Sequence, residues 1–251
     1  MRRRRPAMHE HGTSDDPGQP SREAAGTPGR ASANALLDES DLSPTGSRVR
    51  ILRAAAELFR RHRFDRTTMQ DIAEVVGLTK GSLYHHISSK QALLYEIIQH
   101  TVDRALPRLE RIANMPLPAA ERLRQAVRLH ILILAHDRDN VECSIEEGRS
   151  LAPEYRDAAI AGRDRYEQLI RGIINDGIRT GEFAPTDARL AGFALLGMVN
   201  WVARWYRPDG ERSAGEIAAQ FADYAVAMLC GGMPGTTPGP HHDTSDEPAP
   251  I

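Results

Sequence analysis

The sequence predicts an all-α fold, with a small N-terminal unit of three helices followed by a larger C-terminal helical domain. Three observations predict it. Apolar residues recur at i, i+3 and i+4 between the two ends of the chain, the spacing of one helix face, with no convincing strand and no internal repeat. Hydrophobic residues make up 41% of the chain but aromatics only 5%, so the core is mostly Leu, Ile, Val and Ala, which favours helices over strands. Pro153 suits a first helical turn and Gly181 suits a helix stop.

The elements follow in order. Ile51, Ala55, Leu58 and Phe59 form one apolar stripe. Met69, Ile72, Ala73 and Val76 form a second, and Leu94, Ile97, Ile98 and Val102 a third. Pro107, Pro116 and Pro118 then break the chain. A long helix is predicted from about Pro118 to Asp139, carrying Leu123, Val127, His130, Ile131 and Leu134. Another starts near Pro153 and continues to about Arg179. The helix from about Thr186 to Tyr206 is apolar on nearly all sides; the last, from Ser213 to Cys230, places Ile217, Phe221, Ala225 and Met228 on one face. Residues 1–46 are rich in Gly, Pro, Ser, Asp and Arg and are predicted disordered, as is the tail 231–251. Arg2 to Arg5 suit an arm that reaches phosphates, or stem from a misassigned start codon; His241 and His242 are an adjacent pair, not a metal cluster.

Composition excludes several classes. The 251 residues suffice for one large or two modest domains, and the net charge of −2 is not that of a polycation. Cys143 and Cys230 match no metal or redox spacing, which fits a reducing cytosol. No apolar run approaches transmembrane length, and no apolar core follows MRRRRP, so neither a membrane partner nor a secretory signal is expected and the predicted location is cytoplasmic. The best catalytic offer is Cys143 with His136 and Glu142, but no motif supports it. There is no phosphate-binding glycine loop and no HExxH motif, so no catalytic residue, metal ligand or cofactor is assigned.

Basic residues cluster from Arg48 to Arg66: Arg48, Arg50, Arg53, Arg60, Arg61, Arg63 and Arg66 stand against only Glu57 and Asp65. That excess suits proximity to phosphates, or a solvated arginine-rich face. Directly after it comes TTMQDIAEVVGLTKGSLYHHISSKQALL, which holds the only lysines, Lys80 and Lys90. Thr68 and Asp71 have the spacing of a helix start, Gly77 sits where a turn needs positive φ, and Thr79 caps the next helix. On that helix Leu83 and Ile87 face the Met69/Ile72/Val76 stripe. Gly81 and His85 point the other way, flanked by Ser82 and Tyr84, which with His85 can donate to phosphates or base edges. Lys80 lies in the first turn and Lys90 opens the following helix, both placed for phosphate; His86 falls nearer the buried side.

This helix-turn-helix segment, together with Ile51, Ala55, Glu57, Leu58 and Phe59, resembles the N-terminal DNA-binding domain of the tetracycline-repressor (TetR) family over roughly Arg48 to His100. The resemblance implies that the second helix of the motif lies in the major groove of a double-stranded operator. By position its contacts fall on Thr68, Thr79, Lys80, Gly81, Ser82, Tyr84, His85 and Lys90. One departure is Arg63, where the family usually has glycine; it alters the first-helix cap or adds a phosphate contact. The domains are then 47–92 for DNA binding and 93–230 for ligand binding and dimerisation.

So small a motif reads few base pairs, which favours a homodimer on a near-palindrome. A helix apolar all round is buried on two sides. The resemblance implies a four-helix interface from the last two helices, assigned to Ala191, Leu195, Val199, Val202, Ala218, Phe221, Ala222 and Ala225; Leu190, Ala194, Gly197, Met198 and Trp201 cover another face. A pocket for a small-molecule effector is predicted from His130, Leu134, Arg163, Tyr166, Asn200, Trp201 and Arg204, with Leu123 and Val127. Asn200 and Arg204 either bind an anionic ligand head or pair with an acid on a neighbouring helix. The run MVNWVARWYRPDGERSAGEIAAQFADYAVAML resembles C-terminal regions of TetR-type repressors of fatty-acid and steroid catabolism, which implies an acyl-CoA inducer. The competing class is a ligand-independent architectural DNA binder.

Overall fold

The computed structural model describes residues 46–231. Apart from Gly46 and Gly231, the segments predicted disordered lie outside the described residues, as do the Arg2 to Arg5 arm and the His241–His242 pair. Among the described residues every regular element is a helix.

Helix α1, Ser47–His62, buries Ile51, Leu52, Ala55, Ala56 and Phe59. Its last aromatic meets Phe64 edge-on at 5.1 Å. Helix α2, Met69–Val76, opens with a complete capping box: the Thr68 hydroxyl accepts from the Asp71 N–H, and the Asp71 carboxylate accepts from the Thr68 N–H. Gly77 closes it at φ 71°, and its N–H returns to the helix carbonyls. Thr79 caps α3, Lys80–His86, by accepting from the Ser82 N–H. Leu83 and Ile87, both fully buried, pin α3 to the domain.

Helix α4, Lys90–Ala113, starts from the Ser89 cap and crosses the boundary expected after residue 92, so one rigid rod belongs to both domains. Pro107 does not break it. The proline is exposed, and the carbonyl it leaves unpaired belongs to exposed Asp103.

The C-terminal domain continues with α5 (Ala119–His136), α6 (Arg138–Glu147), a 3₁₀ turn (Gly148–Ser150), α7 (Pro153–Thr180), α8 (Ala188–Asn200), α9 (Val202–Trp205) and α10 (Ala214–Cys230). Two predicted helices are divided. The helix expected to reach Asp139 stops at His136, because Asp137 leaves helical geometry at φ −138°, ψ 40°, and α6 starts directly after it. The helix expected from Thr186 to Tyr206 is interrupted at Trp201. Pro153 and Gly181 do bound α7, the glycine at φ 78°. Glu182 receives the Ala119 and Ala120 N–H groups at 3.0 Å each, capping α5 from across the fold.

Helix α10 lies along α5, α4 along α7, and α1 along α6. The core is in two parts. One fills the C-terminal domain; the other fills the N-terminal domain but takes in Cys143, Leu151 and Ala159 from the larger one. The small domain therefore completes its core with residues of α6, α7 and the turn between them.

Candidate nucleic-acid interface and internal cavity

The face of α3 turned away from Leu83 is open. Lys80, Gly81, Tyr84 and His85 are exposed, and Tyr84 leaves 44% of its surface in solvent. Nothing crowds the space over Gly81, where a Cβ would find only the Thr79 hydroxyl, at 3.9 Å. Thr68 and Thr79 are exposed, with their hydroxyls engaged as caps; the Ser82 hydroxyl lies 2.9 Å from that of Thr79. His86 is exposed rather than buried, and its carbonyl accepts from Arg48.

Lys90 is the exception among the expected phosphate contacts. Its ammonium donates to the Phe64 and Thr67 carbonyls at 2.8 and 2.9 Å and sits 4.3 Å from the centre of the Phe64 ring. Those are internal partners that hold the α1–α2 loop onto α4.

The arginine cluster is mostly committed too. Arg48 pairs with Glu96, and Arg61 pairs with Glu57. Arg53 lies 3.9 Å from Asp137, Arg60 3.3 Å from Asp139 and 3.2 Å from Glu142, and Arg63 3.3 Å from Glu147. The acids of this second set stand on α6 or at its start. A series read as a phosphate footprint is thus largely a row of charges joining α1 to α6. Arg50 and Arg66 remain exposed without an ion pair among the described contacts. Sequence reasoning missed this row because the acids follow the arginines by about 80 residues and no local pattern links them. Arg63 sits at φ 71°, ψ 150°, a region essentially reserved for glycine. The departure from the family pattern therefore changes the cap of α1, and the side chain turns to Glu147.

Asp137 ties the break between α5 and α6 to other elements. Its buried carboxylate accepts from Arg104 and from the Asn140 side chain, and His100 lies 3.4 Å away. Burial pushes its pKa up, but the nearby His100 ring, the Asn140 amide and the Arg104 charge outweigh that and hold it below the ordinary value.

A cavity of about 1260 Å³ lies among α4 to α8. His130, Leu134, Arg163, Tyr166 and Asn200 line it as expected, with Ile98, Val102 and Ile133 as apolar wall. Leu123 and Val127 line a much smaller void behind His130 and Tyr166. His130 joins Tyr166 and Asn200: Nδ1 is 3.0 Å from the Tyr166 hydroxyl and Nε2 is 2.9 Å from Asn200 Oδ1. Burial lowers the His130 pKa against the opposing Asn200 hydrogen bond, which favours the neutral ring. Burial raises that of Tyr166. Arg149, Arg156 and Arg189, absent from the sequence reading, line the cavity with Arg163, and all four are exposed.

Two expected pocket residues lie elsewhere. Trp201 points to solvent, 66% exposed, and Arg204 pairs with Glu146 on the surface. Both follow the last full turn of α8, where the chain changes direction. The expected dimer face is also turned inward. Ala191, Leu195, Val199, Val202, Ala218, Ala222 and Ala225 are buried in the protomer's own core, and Phe221 is half-buried. Leu190, Trp201, Trp205 and Tyr224 are exposed instead, with Phe221 between Trp205 and Tyr224 at centroid distances of 6.1 and 6.0 Å, while half-exposed Phe193 lines the cavity. Cys143 is fully buried; burial and the neighbouring Glu147, Glu146 and Asp139 push its thiol pKa up, away from a nucleophilic thiolate.

Comparison with known proteins follows this division. A family model described as bacterial regulatory proteins, tetR family, matches residues 51–97, and one described as tetracyclin repressor-like, C-terminal domain, matches residues 116–229. The HTH-type transcriptional repressor KstR2 of Mycobacterium tuberculosis is 29% identical over 74% of this chain and 92% of its own. The crystal structure of the TetR family transcriptional regulator PfmR from Thermus thermophilus aligns with TM-score 0.65 at 36% identity, covering 70% of this chain and 96% of that one. A crystal structure of AibR in complex with isovaleryl coenzyme A and operator DNA aligns with TM-score 0.64 at 30% identity, covering 74% of this chain and 98% of that one.

Proposed function

This chain belongs to the tetracycline-repressor family of bacterial regulatory proteins, and from that premise we propose that it is a homodimeric transcriptional repressor whose grip on a near-palindromic operator is released by an acyl-CoA. One observation carries the reading: an exposed α3 face and a large internal cavity sit in two domains whose core and charges are shared through α1, α4 and α6. Each protomer lays α3 in one major groove. Lys80 and the α3 N-terminus meet phosphate, while Tyr84 and His85 reach base edges. The solvent-facing aromatics of α8 to α10 supply the dimer contact.

The ligand reading joins two facts. AibR is described with isovaleryl coenzyme A and operator DNA in one complex. The cavity here combines an apolar wall with exposed arginines, which suit an acyl chain and the phosphates of its carrier. Release follows if the thioester binds better to a state whose two α3 helices are wrongly spaced for the operator. The cavity argues against a ligand-independent architectural protein, and the burial of Cys143 argues against the nucleophile that the sequence offered. The site is assigned no metal or bound cofactor besides the effector. No described helix is long and apolar enough to cross a membrane, and a cytoplasmic regulator fits that.

Selection of binders from a random duplex pool tests the reading. Enrichment of one near-palindrome, with half-sites about one helical turn or a multiple of it apart, is the expected result. Recovery of unrelated duplexes, held only at low salt, would refute sequence-specific regulation.

A further inference from the structure

Of the seven arginines from Arg48 to Arg66, five are paired with acids. Arg50 and Arg66 are the two left exposed without an ion pair among the described residues. They differ in what carries them. Arg50 rides on α1. Arg66 stands on the short loop between α1 and α2, and that loop is held from three directions. Phe64 and Thr67, on either side of the exposed Asp65 and Arg66, are buried. The Lys90 ammonium takes the Phe64 and Thr67 carbonyls at 2.8 and 2.9 Å. The Thr67 hydroxyl donates to the Arg63 carbonyl at 3.0 Å, and the Thr67 N–H donates to the Phe64 carbonyl at 3.3 Å. A fixed backbone thus presents a free guanidinium, so little ordering remains to be done when it meets a partner. Asp65 forms no ion pair with Arg66 among the described residues and leaves it available.

The same contacts place the loop. Lys90 opens α4 just after α3 ends, so a loop seated on its ammonium lies beside the C-terminal end of α3. Lys80 stands at the other end of α3, exposed and without an ion pair among the described residues. Two uncommitted cations therefore bracket the reading helix. Phosphate contacts fix the orientation of a protein on the duplex while base contacts specify the sequence. A helix anchored at one end can swing in the groove; anchored at both, its tilt is set.

We propose that Arg66, not Lys90, is the phosphate anchor at the C-terminal end of α3, with Lys80 the anchor at its other end. This rests on the placement of α3 in the major groove and deepens it. Lys90 holds the loop from behind, and the planar fork of Arg66 takes the phosphate oxygens. The deciding experiment pairs protein variants with single phosphates. The near-palindrome enriched by selection is made as a series of duplexes, each with one uncharged methylphosphonate at successive backbone positions. Affinities of the full chain, Arg66→Gln, Arg66→Lys and Lys80→Gln are measured across salt. Arg66→Gln should bind every sequence more weakly and reduce the slope of log affinity on log salt by about 1 for each protomer bound. It should feel no further loss at one phosphate whose neutralisation weakens the unaltered protein. Lys80→Gln should become insensitive at a different phosphate. Arg66→Lys should restore most of the slope, which a packing role would not. An unchanged slope in Arg66→Gln, or losses that add at every phosphate, would overturn the anchor. If Lys80→Gln still identifies its phosphate, α3 stays in the groove. If neither variant identifies one, the groove placement is overturned as well.

Discussion

Arg63 and Lys90 show how single residues in the small domain divide between fold and function. Arg63 holds φ 71°, ψ 150°, so its Cβ carries a strain of about 1–3 kcal/mol that glycine would not. Arg63→Ala and Arg63→Gly both remove the Glu147 contact and differ only at the backbone. Glycine should therefore melt higher than alanine, the reverse of the usual order, and alanine melting higher would refute the strain. Lys90, with its ammonium on two internal carbonyls, should lower the melting temperature when changed to alanine but leave the salt dependence of DNA binding nearly intact. Lys80→Ala should do the opposite, barely moving stability and reducing the slope of log affinity on log salt by about 1. Indistinguishable effects of the two variants would contradict this division of roles.

At the scale of elements, α2 and α3 were legible because what makes them is local. The Thr68–Asp71 box, Gly77 and Thr79 lie within a dozen residues of one another and act through near-neighbour backbone groups. Where long-range partners decide, the sequence was mute. Nothing beside Asp137 marks a break; its carboxylate instead serves Arg104, Asn140 and His100 from other turns and helices. Pro107, a helix breaker by pattern, is harmless on an exposed face. On α8 the apolar residues cover every side, so periodicity could not tell the core stripe of Ala191, Leu195 and Val199 from exposed Leu190 or from Phe193 on the cavity wall. The α1–α6 charge row belongs at this scale too. It links the reading domain to a helix that contributes Val141 and Ile145 to the cavity wall. The double variant Glu142→Gln/Glu147→Gln should weaken the ligand's effect on operator affinity about fivefold, a coupling change of ~1 kcal/mol. Ligand-free DNA affinity should change less. Coupling equal to that of the unaltered protein would remove the row from the account.

For the whole molecule, dimerisation and ligand response have to act on the same DNA. Trp201, Trp205 and Tyr224, at or near α8 to α10, are exposed in the protomer, Trp201 at 66%, which is much aromatic surface to leave in water. Trp201→Glu should yield a folded monomer by sedimentation and lose affinity for the full near-palindrome far more than for a half-site. A dimer that persists would move the interface elsewhere. If one chain couples a cavity to a reading helix, its two ligands must be thermodynamically linked. Affinity for one near-palindromic site is measured by fluorescence anisotropy at fixed salt, with random DNA as competitor, across increasing concentrations of an acyl-CoA. Binding should be tight and competitor-resistant, weaken by at least tenfold and then level off as the cavity saturates, with the reciprocal loss of thioester affinity when operator is present. A thioester that binds the protein but leaves operator affinity unchanged at saturation would contradict it.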